Sequence, residues 1–309
     1  MPCVVFSYGR KPDPGQVYVN SDDAAIASTI ATDFLRRGFR NFAFVGLRGA
    51  PWALNRGRHF GEALQSQGMK SDLFWTDAPE TPDRKGQAAV GALTQWLQEL
   101  PKPVALMAGN DDMARWVVQC CAAAGLRIPE DCALVGVDND PVVCGLSDPP
   151  LSSVSIAQER AGYLAASALD RMMQGKSPEQ LVITAQVSDL VVRQSSDLIA
   201  VDDPAVAKAI RFIQQHDDRK VFVDEVASAA GLNRRTLERR FQEHFDQGIQ
   251  TRCREMRCDH LETLFRVRHL SLEQIAFQCG FSEAGHLTRF YSSIRSESPS
   301  SYRKRLVQR

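Results

Sequence analysis

The sequence lacks any apolar run near the ~18 residues that span a bilayer, so no membrane partner is expected. Its opening Met1-Pro-Cys-Val-Val-Phe-Ser7 has no basic segment, and its apolar stretch is too short for a secretory signal; a cytoplasmic protein is the expectation. The eight cysteines (Cys3, Cys120, Cys121, Cys132, Cys144, Cys253, Cys258 and Cys279) form no C-x-x-C pair and no zinc-knuckle spacing with histidines. Reduced, structural thiols are expected, with no metal and no cofactor. P-loop, G-x-S-x-G, H-E-x-x-H and G-x-G-x-x-G motifs are absent as well. An enzyme would have to recruit Asp111, Asp138 or Cys120 as acid, base or nucleophile without any of them, so none is expected. Disordered and low-complexity classes are excluded by 44% hydrophobic and 24% charged residues over 309 positions, a length that suggests two domains.

Net charge is also missing, with 37 Lys+Arg against 37 Asp+Glu, but the balance is uneven along the chain. Residues 231–309 hold 15 Lys/Arg and 9 Asp/Glu, while residues 1–230 hold 22 and 28. An acidic body with a basic tail is the distribution of a regulated nucleic-acid binder; clustering on a solvated face would give the same numbers.

Up to about residue 200, short apolar runs alternate with amphipathic stretches. Strands are expected at Val4–Ser7, Phe42–Gly46, Leu73–Trp75, Val104–Ala108, Leu134–Val137 and Leu190–Val192, and helices at 22–37, 57–67, 84–99, 111–124 and 157–174. Gly38, Gly68, Gly125 and Gly175 follow four of these helices as left-handed stops. Strands without polar alternation, separated by helices, predict a mostly parallel sheet covered on both faces. The polar stretch 193–197 and then Asp202-Asp203 lead to a proline helix start at Pro204, after which apolar residues recur every three or four positions and no strand is evident; the boundary is expected near 197–203. The expected domains are an α/β unit over 1–199 and an all-α unit over 204–309.

Two segments of the helical half look alike. In the first, a short helix carrying Ala227 is followed by Gly231, Leu232, Asn233 as N-cap and a longer helix through Leu237 and Phe241. In the second, Ala276 is followed by Gly280, Phe281, Ser282 as N-cap and a longer helix through Leu287 and Phe290. Glycine makes the sharp turn and the small alanine lets the helices cross closely, which describes a helix-turn-helix made twice. With Leu237 and Phe241 facing a core, Arg235, Glu238 and Arg239 fall on the opposite face with Arg234 at its start, an arrangement suited to guanine edges and phosphates in a major groove. An ordinary helical bundle with a solvated arginine face is the bland alternative, and the duplication argues against it.

Residues 204–306 resemble the DNA-binding domain of AraC-type transcription regulators. The likeness rests on Ala227-x-x-x-Gly231-Leu, Leu237-x-x-x-Phe241, Leu272-x-x-Ile275-Ala-x-x-Cys279-Gly-Phe-Ser282, His286-Leu-x-Arg289 and Ser298-Pro-Ser-x-Tyr302-Arg303. It implies two helix-turn-helix units joined by a long helix, here about 252–267, entering successive major grooves of a double-stranded operator. Its base-contacting positions match Arg235, Glu238 and Arg239 in the first unit, and Ala284, Gly285, Thr288 and Arg289 in the second. Ala284 and Gly285 carry no base-reading side chain, so the second unit is expected to grip phosphate through Arg289 while the first reads sequence. Asp246, Ile249, Arg252, Arg295 and Ser296 depart from the family pattern.

In the α/β half, Asn110-Asp111-x-Met113-Ala114 and Val135-Gly-Val-Asp138-Asn139 place carboxylates at the carboxyl ends of expected strands, where open α/β sheets bind ligands. Carboxylates accept from sugar hydroxyls, and an indole such as Trp52 would cover an apolar sugar face. Equally, both aspartates could cap the elements that follow, each for ~1 kcal/mol. This half resembles the periplasmic-binding-protein-like sensor of LacI-type regulators, through Asp22-Asp-Ala-Ala, Phe42-Ala-Phe-Val-Gly46, Arg58-x-x-Gly61, Asn110-Asp-x-Met-Ala, Ile128-Pro129, Gly136-Val-Asp138-Asn, Leu151-Ser-Ser-Val and Val192-Arg-x-Ser-Ser196. The resemblance implies a type I periplasmic-binding-protein fold with ligand contacts at Asp111 and Asp138, and further contacts at Trp52, Asn55 and Arg56 from the loop after Phe42–Gly46. Such sensors carry a βαβαβ unit and a helix before the segment resembling Pro2–Ser7; a chain lacking these first strands, through truncation or a late start, is therefore expected.

A LacI-like sensor followed by an AraC-like tail is the arrangement of XylR-type xylose regulators. It implies a homodimeric transcription regulator in which a small sugar inducer, a pentose such as xylose, closes the sensor lobes and reorients the DNA-binding tails. The alternative is a regulator that binds DNA without a ligand, because half of the cleft is missing.

Overall fold

Alternating helix and strand signals up to Val191 produce, in a computed structural model of the chain, two parallel-stranded sheets. The structure describes residues 2–6, 16–77, 84–245, 247–265 and 270–308. It divides into two compact units, one ending at Leu198 and the other beginning at Ile199.

The first unit runs β1 (Cys3–Phe6), β2 (Gln16–Ser21), α1 (Asp23–Arg36), β3 (Asn41–Leu47), α2 (Pro51–Gln65), β4 (Ser71–Thr76), α3 (Arg84–Glu99), β5 (Val104–Ala108), α4 (Asp111–Ala124), β6 (Cys132–Val137), α5 (Pro141–Leu146), β7 (Ser152–Ile156), α6 (Gln158–Met173), β8 (Val182–Ala185) and β9 (Val187–Val191). The larger sheet has the order β4-β3-β5-β6-β7-β9 and is parallel except for β9. β5 and β6 are buried along their whole length, as strands covered by helices on both faces must be. The smaller sheet, β1-β2-β8, is parallel, and α6 packs on it through Ala161, Ala165 and Ala168.

The single covered sheet of the sequence expectation is thus two sheets. Strands β2, β7 and β8 were not anticipated. Serines fill β7, yet Ser152 and Ser153 are wholly buried, each satisfied by side-chain hydrogen bonds that come from distant parts of the chain. The connection 193–197 looked solvated for the same reason, whereas Ser195 and Ser196 are buried, with Ser195 Oγ donating to the Leu134 carbonyl at 2.7 Å. Ser7 of the first expected strand lies outside the described residues.

The second unit comprises α7 (Pro204–Gln214), α8 (Val223–Ala230), α9 (Arg234–His244), α10 (Ile249–Phe265), α11 (Leu272–Gln278), α12 (Ala284–Arg295) and α13 (Pro299–Gln308). It has two cores. One gathers Val206, Ile210, Val226, Leu237 and Phe241; the other gathers Leu261, Phe265, Ile275, Leu287 and Tyr291. The middle helix α10 contributes to both, Cys253 and Met256 to the first and Cys258, Leu261 and Phe265 to the second. It was expected over 252–267; it starts a turn earlier, with Ile249 buried, and residues 266 and 267 lie outside the described residues. Among the described residues no helix is long and apolar enough to cross a membrane.

Candidate functional site

In the larger sheet the chain runs from β3 outward to β4, then returns to the other side of β3 to lay down β5 and β6. The strand order therefore reverses between β3 and β5, and the crevice beyond their carboxyl ends is where such sheets take ligands. The first turns of α2, the 109–111 segment after β5 and the 138–140 segment after β6 meet there.

Arg56 is the hub. It is buried, with Nε donating to Asp23 Oδ1 at 3.1 Å, Nη2 to Ser21 Oγ at 3.1 Å and Nη1 to the Gly109 carbonyl at 2.7 Å. Asn55 Nδ2 reaches Asp23 Oδ2 at 3.4 Å, and Trp52 lies with its ring centroid 5.2 Å from the Arg56 guanidinium. The same indole covers the Gly109 backbone so closely that a Cβ there would stand 3.1 Å from its edge. These three residues were expected in a loop. They sit instead in the opening turns of α2, because Pro51 at the first helical position starts the helix earlier than the apolar pattern suggests. Their partners Ser21 and Asp23 were not picked out by sequence, although Asp23 lies within the Asp22-Asp-Ala-Ala segment.

Asp138 stands at the exit of β6 with φ 105, a left-handed backbone uncommon for a residue with a side chain. Its carboxylate is one-third exposed and lies 3.9 Å from Arg56 Nη2. Burial pushes its pKa up to about 6, opposed by Arg56 and reinforced by the carboxylates of Asp111, Asp112 and Asp140. An acceptor short of donors and beside a cation suits a hydroxyl-bearing ligand.

Asp111 is placed differently. It is buried, and its oxygens already accept from Ser153 Oγ at 2.6 Å, Asp140 N at 2.8 Å and Cys144 Sγ at 3.3 Å. Burial raises its pKa while these donors lower it. The capping of α4 falls to Asn110, whose side chain accepts from Met113 N at 3.0 Å. Asp111 thus holds the 138–140 turn against the sheet, and a Cβ at Gly136 would run into its carboxylate. Arg193 completes the support by donating to Asn139 Oδ1 at 2.9 Å and to the Leu151 carbonyl at 2.7 Å. Only the Asp111 end of this clamp was legible from sequence.

In the second unit, α8 ends at Gly231 with φ 70 and Asn233 caps α9, accepting from Thr236 N at 2.9 Å. Leu237 and Phe241 are fully buried, and Arg234, Arg235, Glu238 and Arg239 are exposed on the other face. Arg234 pairs with Glu238 at 2.9 Å and Arg239 with Glu243 at 2.6 Å, both on the surface. Exposed pairs of this kind are worth at most about 1 kcal/mol, so neither pair locks its arginine in place.

The second turn pivots on Gly280 with φ 67. Its helix begins one residue later than expected. Glu283 flanks α12, and Ser282 does not cap it, turning instead to His286 Nδ1. Thr288 Oγ1 donates to its own helix at Ala284 O, 2.9 Å away, while Arg289 is exposed and lies 3.6 Å from Glu283. Arg295 and Ser296, off the family pattern, are accommodated: Arg295 pairs with Asp259 and, at 2.6 Å, with Glu262, and Ser296 ends α12 with φ 55.

Residues 31–196 match the family model of the periplasmic binding protein-like domain, and residues 226–305 that of a helix-turn-helix domain. The chain is 28% identical over 290 residues to the xylose operon regulatory protein of Escherichia coli K12, covering 93% of this chain and 73% of that protein. It is 25% identical to the Haemophilus influenzae protein of the same name, covering 91% and 72%. A solved structure of the xylose-binding transcription activator xylR superposes with a TM-score of 0.57 at 27% identity, over 97% of this chain and 80% of that one. With the first family model spanning more than half of its length, the chain belongs to the periplasmic binding protein-like family and carries a helix-turn-helix domain behind that fold.

Proposed function

We propose that the chain is a sugar-responsive transcription regulator acting on cytoplasmic DNA as a homodimer, with a pentose such as xylose as inducer. The observation that carries the DNA reading is the solvent-facing row Arg234, Arg235, Glu238 and Arg239 on α9, set opposite the buried Leu237 and Phe241 and followed by a second copy of the same turn. Arg235 and Arg239 would read base edges in one major groove, and Thr288 and Arg289 would hold the backbone at the next. The sensor reading is supported by the cluster at the β3/β5 reversal, where Asp138, Asn55 and Trp52 offer an acceptor, a donor and an aromatic face to a sugar, with Arg56 holding the cluster together from beneath and Asp111 fixing the turn that carries Asp138. A relative named for regulating the xylose operon and a solved structure of a xylose-binding activator support the ligand class.

Two measurements test this. Titration of a mixed-sequence duplex at about 50 and about 200 mM salt should show affinity falling steeply with salt. Calorimetry with a panel of pentoses should show saturable heat for one of them. Sugar binding without DNA affinity would refute the regulator, and DNA affinity indifferent to every sugar would favour the ligand-independent alternative.

A further inference from the structure

The second unit carries a cavity of about 550 Å³ that the base-reading face does not include. Three elements wall it: the segment ahead of α8, α10, and the turn and recognition helix of the second unit. Arg219, Lys220, Arg254, Arg257 and Arg289 line it together with His286, and among the described lining residues none is acidic. Surface pairing offsets part of this charge. Arg219 is held by Glu225 at 3.0 Å and Arg289 lies near Glu283, but Lys220 and Arg254 are exposed and have no ion pair among the described residues.

The decisive residue is Arg257. It is only 6% exposed, its guanidinium packed on Phe281 at 3.9 Å with Phe290 at 5.2 Å, and its Nη2 donates to the Cys279 carbonyl. Its Nε has no hydrogen-bond partner, and the Asp218 carboxylate acts on it across space without forming an ion pair among the described residues. A buried guanidinium that no carboxylate pairs directly is only partly compensated, and an anion entering the cavity would complete the compensation.

We infer that this cavity seats phosphates of the DNA backbone, at the stretch that crosses between the two major grooves. The inference rests on the regulator reading above. A free oxyanion would meet the same chemistry, but the site favours a backbone. It is far larger than a single ion needs, given about 30 Å³ for a water in the liquid. It is also bounded by the segment leading into the first helix-turn-helix and by the turn and helix of the second, and shares Arg289 with the helix that the regulator reading sets against DNA. On α10, Gln250, Arg254 and Arg257 fall at i, i+4 and i+7, one face directed into the gap a duplex would bridge.

The test uses the full chain with Lys220→Gln and Arg254→Gln, separately and combined, because both side chains lie at the surface and their loss leaves the cores intact. Helical content by circular dichroism checks folding. Each phosphate contact contributes about 0.9 to the slope of log K against log salt, so the double variant should lower the slope on a mixed-sequence duplex by about 2. Base preference, read by selection from a random pool, should be unchanged, whereas Arg239→Ala should alter it. An unchanged slope in the double variant, with Arg239→Ala still changing preference, would overturn this inference and leave the regulator reading standing. Saturable calorimetric binding of inorganic phosphate to the wild-type chain, lost in the double variant while the DNA slope stays put, would assign the cavity to a free anion and equally overturn it. A wild-type chain that binds no duplex at low salt would defeat both.

Discussion

Replacing Asp138 with asparagine should make the unliganded protein more stable at neutral pH. The carboxyl ordinarily titrates at 3.8, and burial in the folded chain raises this to about 6. Below pH 3.8 both the folded and the unfolded chain carry the proton. Between 3.8 and 6 the folded chain keeps a proton that the unfolded chain has released, so stability falls as the pH rises through that window, and above 6 the loss is complete. A rise from 3.8 to about 6 corresponds to about 3 kcal/mol at 1.36 kcal/mol per pH unit. The side chain is one-third exposed, and solvent screening brings the figure to roughly 1–2 kcal/mol. Asparagine keeps the shape, carries no charge and tolerates the left-handed backbone better than most residues, so it isolates the ionisation. Urea melts of wild type and Asp138→Asn at pH 7 and pH 4 provide the assay. The variant should gain roughly 1–2 kcal/mol at pH 7, with the gap closing by pH 4. A variant less stable than wild type at pH 7, or a difference that ignores pH, would refute the account of the site as an under-compensated carboxylate.

Sugar affinity should fall as pH drops below about 6, since hydroxyl donors favour the ionised Asp138; calorimetry between pH 5 and 8 reads this, and a flat profile would count against direct contact. Asp111→Ala should cost about 2–4 kcal/mol in a thermal or urea melt, because the Asp140 N–H and the Ser153 hydroxyl lose a buried charged acceptor. Arg239→Ala should weaken binding to a selected site by about 1–3 kcal/mol and relax base preference, and an unchanged footprint would remove α9 from the groove. Phe241→Ala should cost about 3–5 kcal/mol and melt the first helix-turn-helix, which loss of duplex binding would report.

Local signals carried much of this fold and long-range ones carried the rest. The two turns at Gly231 and Gly280 were legible because glycine, the small Ala227 or Ala276 and the apolar pairs four residues apart all lie within one short segment, and the exposed arginines of α9 follow from the same periodicity. The strands β3, β5 and β6 were legible because they are apolar and bounded by caps. What failed to show were elements whose meaning comes from elsewhere in the chain. Ser152 and Ser153 are strand residues only because Ser195, Ser196, Arg193 and Asp111 satisfy them. Arg56 became a hub only through Ser21, Asp23 and Gly109, none of them close to it in sequence. Spacing alone left Asp111 and Asp138 equivalent. Burial and hydrogen bonding separate them, one with its acceptors filled and the other with its charge poorly compensated.

That separation bears on how a ligand could act at all. A sugar shifts a conformational equilibrium only by the difference in its affinity for the two states, and a group already satisfied in the free protein has little to offer that difference. Arg56 is already bonded to Asp23, Ser21 and the Gly109 carbonyl, and Asp111 to Ser153, Asp140 and Cys144, so these groups gain little from a hydroxyl. Asp138 is the member whose ionised form is poorly compensated, on a backbone held at φ 105, so donors brought by a ligand there recover free energy that folding left unrecovered. Reciprocity then requires that any change in DNA affinity on adding sugar be matched by an equal change in sugar affinity on adding DNA.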